Sequence, residues 1–136
     1  MDRTVLVIGA GLAGARTAEA LRGLGHDGRL VLVGDEEQLP YERPPLSKEY
    51  LHGRTGFDAA LVHPQRWYDD HRVELRTGAH VRSLDAAAHL ATLDDGSTVR
   101  FDSAVLATGS SPRRLDVPRG DAALLLRTRE DSDRLR

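Results

Sequence analysis

The apolar positions fall into short runs whose period changes along the chain. Residues 4–8 are β-branched or apolar with no polar alternation, the pattern of a strand buried on both faces of a parallel sheet. Across residues 12–24, Ala15, Ala18, Leu21 and Leu24 recur at helical spacing, and glycines at 23, 25 and 28 then stop the helix. A second unbroken run, residues 30–33, ends at Gly34-Asp35. Strand, helix and strand within about thirty residues make one βαβ unit with a right-handed crossover.

Pro40, Pro44 and Pro45 make residues 36–48 a constrained loop rather than a helix or central strand. Ser47 is expected to cap a short helix running to Leu51, and Pro64 to stand in the first turn of another, whose Trp67 and Tyr68 anchor the core. Short strands are expected at 73–76, 80–84, 88–93 and 98–101, the last two joined through the turn Asp94-Asp95-Gly96-Ser97. Residues 103–107 read as another buried strand running into Thr108-Gly109. The remainder reads as loop until Thr128, an N-cap followed by Glu130 and Asp131 in a first helical turn.

The 136 residues are 40% hydrophobic and 29% charged, which suits a folded domain and not a disordered chain. A net charge of -2 lacks the basic surplus that binds phosphate backbones, so nucleic acid is not an expected partner. With no cysteine, disulfides, a redox Cys pair and thiolate metal sites are excluded, and redox chemistry must come from a bound cofactor. The six histidines show no metal-ligand spacing, so no metal site is expected. The apolar lead after Met1-Asp2-Arg3 is broken by Gly9, Gly11 and Gly14 and lacks the basic start of a secretory signal. No run is long enough to cross a bilayer. The expectation is a cytoplasmic protein without a membrane partner.

Gly9-Ala10-Gly11-Leu12-Ala13-Gly14 lies between the first strand and its helix. This is the context of the dinucleotide fingerprint: one glycine for the tight turn, one for the approach of a pyrophosphate, one for close helix–strand packing. Asp35 closes the next strand, where a carboxylate can accept hydrogen bonds from a ribose. By itself the fingerprint does not choose the dinucleotide.

Tyr41-Glu42-Arg43-Pro44-Pro45-Leu46-Ser47-Lys48 is the most specific block in the sequence. With the fingerprint, Leu32-Val33-Gly34-Asp35-Glu36, Ala107-Thr108-Gly109 and Leu126-Arg127-Thr128, it resembles the FAD-dependent ferredoxin reductases of the putidaredoxin and rhodocoxin reductase type, within the pyridine nucleotide-disulfide oxidoreductase superfamily. The resemblance covers the whole chain. It implies a Rossmann-like FAD-binding domain: a parallel sheet with helices plus a small antiparallel meander. It implies FAD as cofactor, NAD(P)H as electron donor and a ferredoxin as partner.

Carried over position by position, the resemblance assigns cofactor binding to Gly9, Gly11, Leu12, Ala13, Gly14, Asp35, Glu36, Arg43, Pro44, Lys48, Val81, Ala107, Thr108, Gly109 and Arg127. Lys48 is the one lysine beside 18 arginines, and two prolines stiffen its approach. An ammonium there can stabilise negative charge on a flavin ring that takes up a hydride, the catalytic role the resemblance assigns it.

The resemblance also implies an incomplete FAD domain: residues 1–112 as its first segment and 113–136 as a hinge and the start of an NAD-binding domain. A later strand with its Gly-Asp and a second Gly-rich fingerprint for NADH are not read in the sequence, and Gly120-Asp121 is no substitute because residues 117–119 cannot form a buried strand. The expectations are weak or absent FAD binding, no turnover by the chain alone, and dimerisation or strand exchange through the incomplete sheet. The alternative is a stand-alone, non-enzymatic dinucleotide-binding module.

Overall fold

The computed structural model describes residues 3–136; Met1 and Asp2, where the lead segment begins, lie outside the described residues. The chain forms two compact units. The first holds the residues up to Tyr41 together with Val62–Gly109, and the second holds Glu42–Leu61 with Ser110–Arg136.

The first unit is built on a four-stranded parallel sheet of β1 (Val5–Ile8), β2 (Leu30–Val33), β3 (Val73–Arg76) and β7 (Ser103–Leu106). Their order is β3-β2-β1-β7. A second sheet is the antiparallel meander β4 (Val81–Asp85), β5 (Leu90–Leu93) and β6 (Thr98–Arg100). Two helices belong to this unit, α1 (Leu12–Gly23) and α2 (Gln65–Asp70). The α/β architecture expected from the sequence is present, with strand ends within a few residues of those read from the pattern.

The unbroken apolar runs are explained by what covers each face of the sheet. Leu6 and Ile8 of β1 and Val31 and Val33 of β2 point one way, into a cluster with Ala91, Leu93, Val99 and Phe101 of the meander and its flank. Val7, Leu30 and Leu32 point the other way, onto Ala18 of α1 and Tyr68 of α2. Successive side chains of a strand face opposite sides, so a strand sandwiched between meander and helices has no polar position to offer. The antiparallel sheet therefore serves as a third layer of the core.

The hairpin turn forms as its residues dictate: Gly96 takes φ +83° and its N–H donates to Leu93 O at 3.1 Å. Pro64 is the N-cap of α2, one position ahead of the first turn expected for it. Tyr68 is fully buried, as an anchor should be. Trp67 is only partly buried and stacks between His63 and His71, with ring centroids 4.0 and 4.2 Å away.

In the second unit a 3-10 turn spans Pro44–Ser47 and another spans Phe57–Ala60, the latter not foreseen. The helix expected to start at Ser47 does not form. Both prolines occupy the opening of the turn, which their fixed φ favours, so the turn ends at Ser47. The Ser47 hydroxyl instead donates back to Pro44 O at 3.4 Å. Helix α3 (Arg129–Leu135) begins at Thr128 as read, with a full capping box: Asp131 N donates to Thr128 Oγ1, and the Asp131 carboxylate accepts from Thr128 N.

Candidate functional site

The carboxyl ends of three parallel strands meet at the Gly9 turn. Gly9 N donates to Val33 O and Ala107 N donates to Ile8 O, both at 2.7 Å, so β1, β2 and β7 end beside one another, where an open α/β sheet places its ligand crevice.

The three fingerprint glycines have separable roles here. Gly9 adopts φ +109°, and a Cβ on it would stand 2.1 Å from Ala107 O. A Cβ on Gly14 would stand 1.9 Å from Gly9 O and 3.1 Å from Leu32 Cδ1. Both are glycine because backbone packs against them. Gly11 has nothing within 4 Å of the corresponding position and has an extended backbone that any residue adopts, φ -88° and ψ -165°. Its missing side chain therefore serves open space, not packing.

That open space lies at the start of α1, where Gly11 is the N-cap with no side-chain capping bond and the first turn carries no acid. First-turn N–H groups without intrahelical partners, and the positive end of the helix dipole, suit an anion. Leu12 and Ala13 in that turn are exposed.

Beside the turn lies a crevice of about 160 Å3, lined by Ile8, Gly9, Val33, Gly34, Asp35, Ala79, His80, Val81 and Thr108. Whole-ligand pockets usually measure roughly 300–1,000 Å3, so this one suits one end of a dinucleotide. Its walls are apolar at Ile8, Val33, Ala79 and Val81, and its polar groups are Asp35, His80 and Thr108. Backbone bonds fix the far wall: Ala79 N to Gly34 O and Gly78 N to Glu36 O, each 2.9 Å.

Of the residues singled out in the sequence, Gly9, Asp35, Val81 and Thr108 line the crevice. Gly11, Leu12, Ala13 and Gly14 form the adjoining helix start. Ala107 buttresses Gly9 through its carbonyl, and Gly109 makes the exit turn with φ +70°. Glu36 accepts a hydrogen bond from the Tyr41 hydroxyl at 2.5 Å. Sequence reasoning missed Ile8, Val33, Gly34, Ala79 and His80 as lining residues. Gly34 has a close-approach reason, since a Cβ there would lie 2.4 Å from Ala10 Cβ. Its position just before Asp35 was the available signal.

Arg43, Pro44, Lys48 and Arg127 belong to the second unit. There Arg43 Nη1 donates to Arg127 O at 2.7 Å, Pro44 opens the 3-10 turn, and exposed Lys48 closes it with its N–H on Pro45 O at 3.0 Å. The Gly-x-Gly-x-x-Gly spacing also recurs at Gly23, Gly25 and Gly28. It runs from the last residue of α1 toward β2, a helix-to-strand turn without the strand-to-helix context of a phosphate cradle.

The family profile of the pyridine nucleotide-disulphide oxidoreductases matches residues 3–136. The chain belongs to this family. Within it, the chain is 41% identical over 138 residues to the ferredoxin–NAD(+) reductase subunit of the benzene 1,2-dioxygenase system of Pseudomonas putida, covering 100% of this chain and 33% of that protein. It is 41% identical over 115 residues to rhodocoxin reductase of Rhodococcus erythropolis, covering 85% and 27%. Among solved structures, the covalent putidaredoxin reductase–putidaredoxin complex superposes with a TM-score of 0.90 at 34% identity, over 97% of this chain and 33% of that one. The chain thus spans about a third of the length of the curated relatives it matches. That solved structure shares the fold of this chain. Among the described residues no helix is long and apolar enough to cross a membrane.

Proposed function

We propose that this chain forms the first FAD-binding segment of an NAD(P)H-dependent flavoprotein reductase that passes electrons to a ferredoxin. The observation that carries the reading is Gly11: of the three fingerprint glycines it alone faces open space, at an uncapped helix start beside a crevice that reaches Asp35. Such a cradle fits the pyrophosphate and adenosine end of a dinucleotide. FAD, when bound, supplies a ring that accepts a hydride and releases electrons singly.

In this reading the N–H groups from Leu12 to Gly14 hold the pyrophosphate and Gly9 keeps the turn tight. Asp35 accepts from a ribose hydroxyl, with Glu36 beside it in sequence, and Val81 presents backbone to the adenine. Ala107, Thr108 and Gly109 border the cofactor where the last parallel strand ends. For Arg43, Pro44, Lys48 and Arg127 the support is the resemblance of the Arg-Pro-Pro-Leu-Ser-Lys block and of Leu126-Arg127-Thr128. Lys48 is assigned to hold negative charge on the flavin.

The domain reading places residues 1–112 in the FAD-binding domain and 113–136 in a hinge leading to an NAD-binding domain, and turnover requires that second domain. The named ferredoxin reductases among the relatives support the ferredoxin partner, and the need for NAD(P)H supports a cytoplasmic location. Among the described residues β7 stands at the edge of the parallel sheet with Leu106 67% exposed, which supports dimerisation or strand exchange there. Light scattering that finds only monomer at high concentration overturns that last part.

The test of the main reading is competitive calorimetry of FAD, ADP and NADH against the chain. The expected result is that ADP and FAD compete for one site and NADH is not preferred over FAD. Preference for NADH would instead mark a stand-alone dinucleotide-binding module.

A further inference from the structure

We propose that Ser132 is the positioning residue for Lys48: its buried hydroxyl fixes the Leu46 carbonyl and, through it, the turn that presents the chain's one lysine. The functional weight of this proposal rests on the reading of Lys48 as the flavin-side cation; the geometry itself lies wholly within the second unit.

Ser132 is fully buried on α3, and its Oγ donates to Leu46 O at 2.7 Å across 86 residues of sequence. Leu46 is itself 2% exposed, so both its side chain and its carbonyl are anchored. Lys48 follows two residues later, with its N–H returned to Pro45 O at 3.0 Å. The prolines at 44 and 45 restrict the backbone just ahead of the anchor, and only Ser47 separates the anchor from the lysine. Two further bonds hold the flanks of the same segment to the same helix and its cap. Arg43 Nη1 donates to Arg127 O at 2.7 Å, and Tyr50 OH donates to Asp133 Oδ1 at 2.5 Å.

Ser132 differs from those flanking bonds in where it acts. It reaches the turn between its prolines and the lysine, and of the three bonds it alone is fully buried. A carbonyl left without its donor there loses the bond with no water to replace it. The local response is a shift of the turn, which moves Lys48.

The lone lysine makes this testable in one spectrum. Labelling with 15N-lysine gives a single backbone amide peak in the 136-residue chain. In Ser132→Ala that peak should move by more than its linewidth and its hydrogen exchange should quicken about tenfold or more. The exposed Ser83→Ala variant, in the first unit, should leave the peak in place. A purely stabilising role for Ser132 would lower the melting midpoint and leave the peak position unchanged, and that result overturns the proposal. If Ser132→Ala does not fold, Ser132→Cys keeps the side chain's shape with only a weak donor and must move the same peak; a folded Ser132→Cys chain with an unmoved peak overturns the proposal as well.

Adding FAD separates the two claims. A Lys48 peak that responds to FAD in the parent chain, with the response weakened severalfold in Ser132→Ala, supports both. A peak that moves in Ser132→Ala but ignores FAD in the parent chain, at FAD concentrations where calorimetry shows it bound, supports the positioning contact and overturns the flavin role of Lys48.

Discussion

Gly11 and Gly14 stand three residues apart in one motif, yet the structure gives opposite outcomes for filling them. A Cβ at position 14 would meet Gly9 O at 1.9 Å, whereas ordinary contact begins near 3.4 Å, so the start of α1 must lift away from the turn by more than an ångström. Forcing packed backbone apart costs about 3 kcal/mol, offset by about 1 kcal/mol from the better helix propensity of alanine. The net loss for Gly14→Ala is about 2 kcal/mol, a fall of roughly 8 °C in melting midpoint for a chain of this size.

Gly11→Ser meets nothing within 4 Å and sits in a backbone conformation open to any residue. Serine is a favoured N-cap, so stability should change by less than about 0.5 kcal/mol. The new side chain occupies the space assigned to the pyrophosphate, and ADP affinity should fall about tenfold or more. Thermal unfolding by circular dichroism and calorimetric ADP titration read the pair. If Gly11→Ser melts as early as Gly14→Ala, or binds ADP as the parent does, the division of labour among the glycines is wrong.

Three further outcomes follow from the packing. Arg22 donates to the carbonyls of His26, Gly28, His71 and Arg72 at 2.6–2.9 Å; Arg22→Met should cost about 2 kcal/mol, measured by urea denaturation, and no loss would show that water replaces the guanidinium. Among the described residues Tyr68 OH is buried with no hydrogen-bond partner, and burial pushes its pKa up from 10.0 to about 12. Tyr68→Phe should therefore stabilise the fold by about 1 kcal/mol. The raised value means the parent chain loses stability as pH climbs from about 10 to about 12, a loss the variant should lack in alkaline melts. The Asp131 carboxyl is held below its usual range, chiefly by the Thr128 backbone N–H and then by Arg127 N and the Arg134 guanidinium. Its contribution is present above the ordinary carboxylate pKa and is lost as pH falls through the depressed one. Asp131→Asn should flatten that acid response in the exchange rates of α3.

What the sequence made legible was whatever local chemistry determines. The βαβ start, the Asp94–Ser97 turn and the Thr128 cap are each decided by a few adjacent residues. The unbroken runs of β1 and β2 revealed burial on both faces, but not that a meander covers one of them. That depends on Ala91, Leu93 and Phe101 arriving from far along the chain. Ser47 misled because a serine before Lys-Glu looks like an N-cap, while the preceding prolines had already started and spent the turn.

The candidate site divided the same way. Its glycines and Asp35 carry a motif, whereas Ala79 and His80 join the crevice through the Ala79 N bond to Gly34 O, a pairing with no local signature. The buried bond from Ser132 to Leu46 O was equally silent, since serine in a charged helix is an ordinary surface residue.

The central claim is that the crevice at the ends of β1, β2 and β7 receives the adenosine and pyrophosphate end of a dinucleotide. Backbone amide shifts on titrating ADP into the labelled chain test it most directly. The changes are expected to concentrate at Gly9 to Gly14, Asp35, Ala79 to Val81 and Thr108. Saturable ADP binding whose shifts cluster elsewhere, or no binding at millimolar ADP, roughly the weak limit of specific recognition, would contradict it.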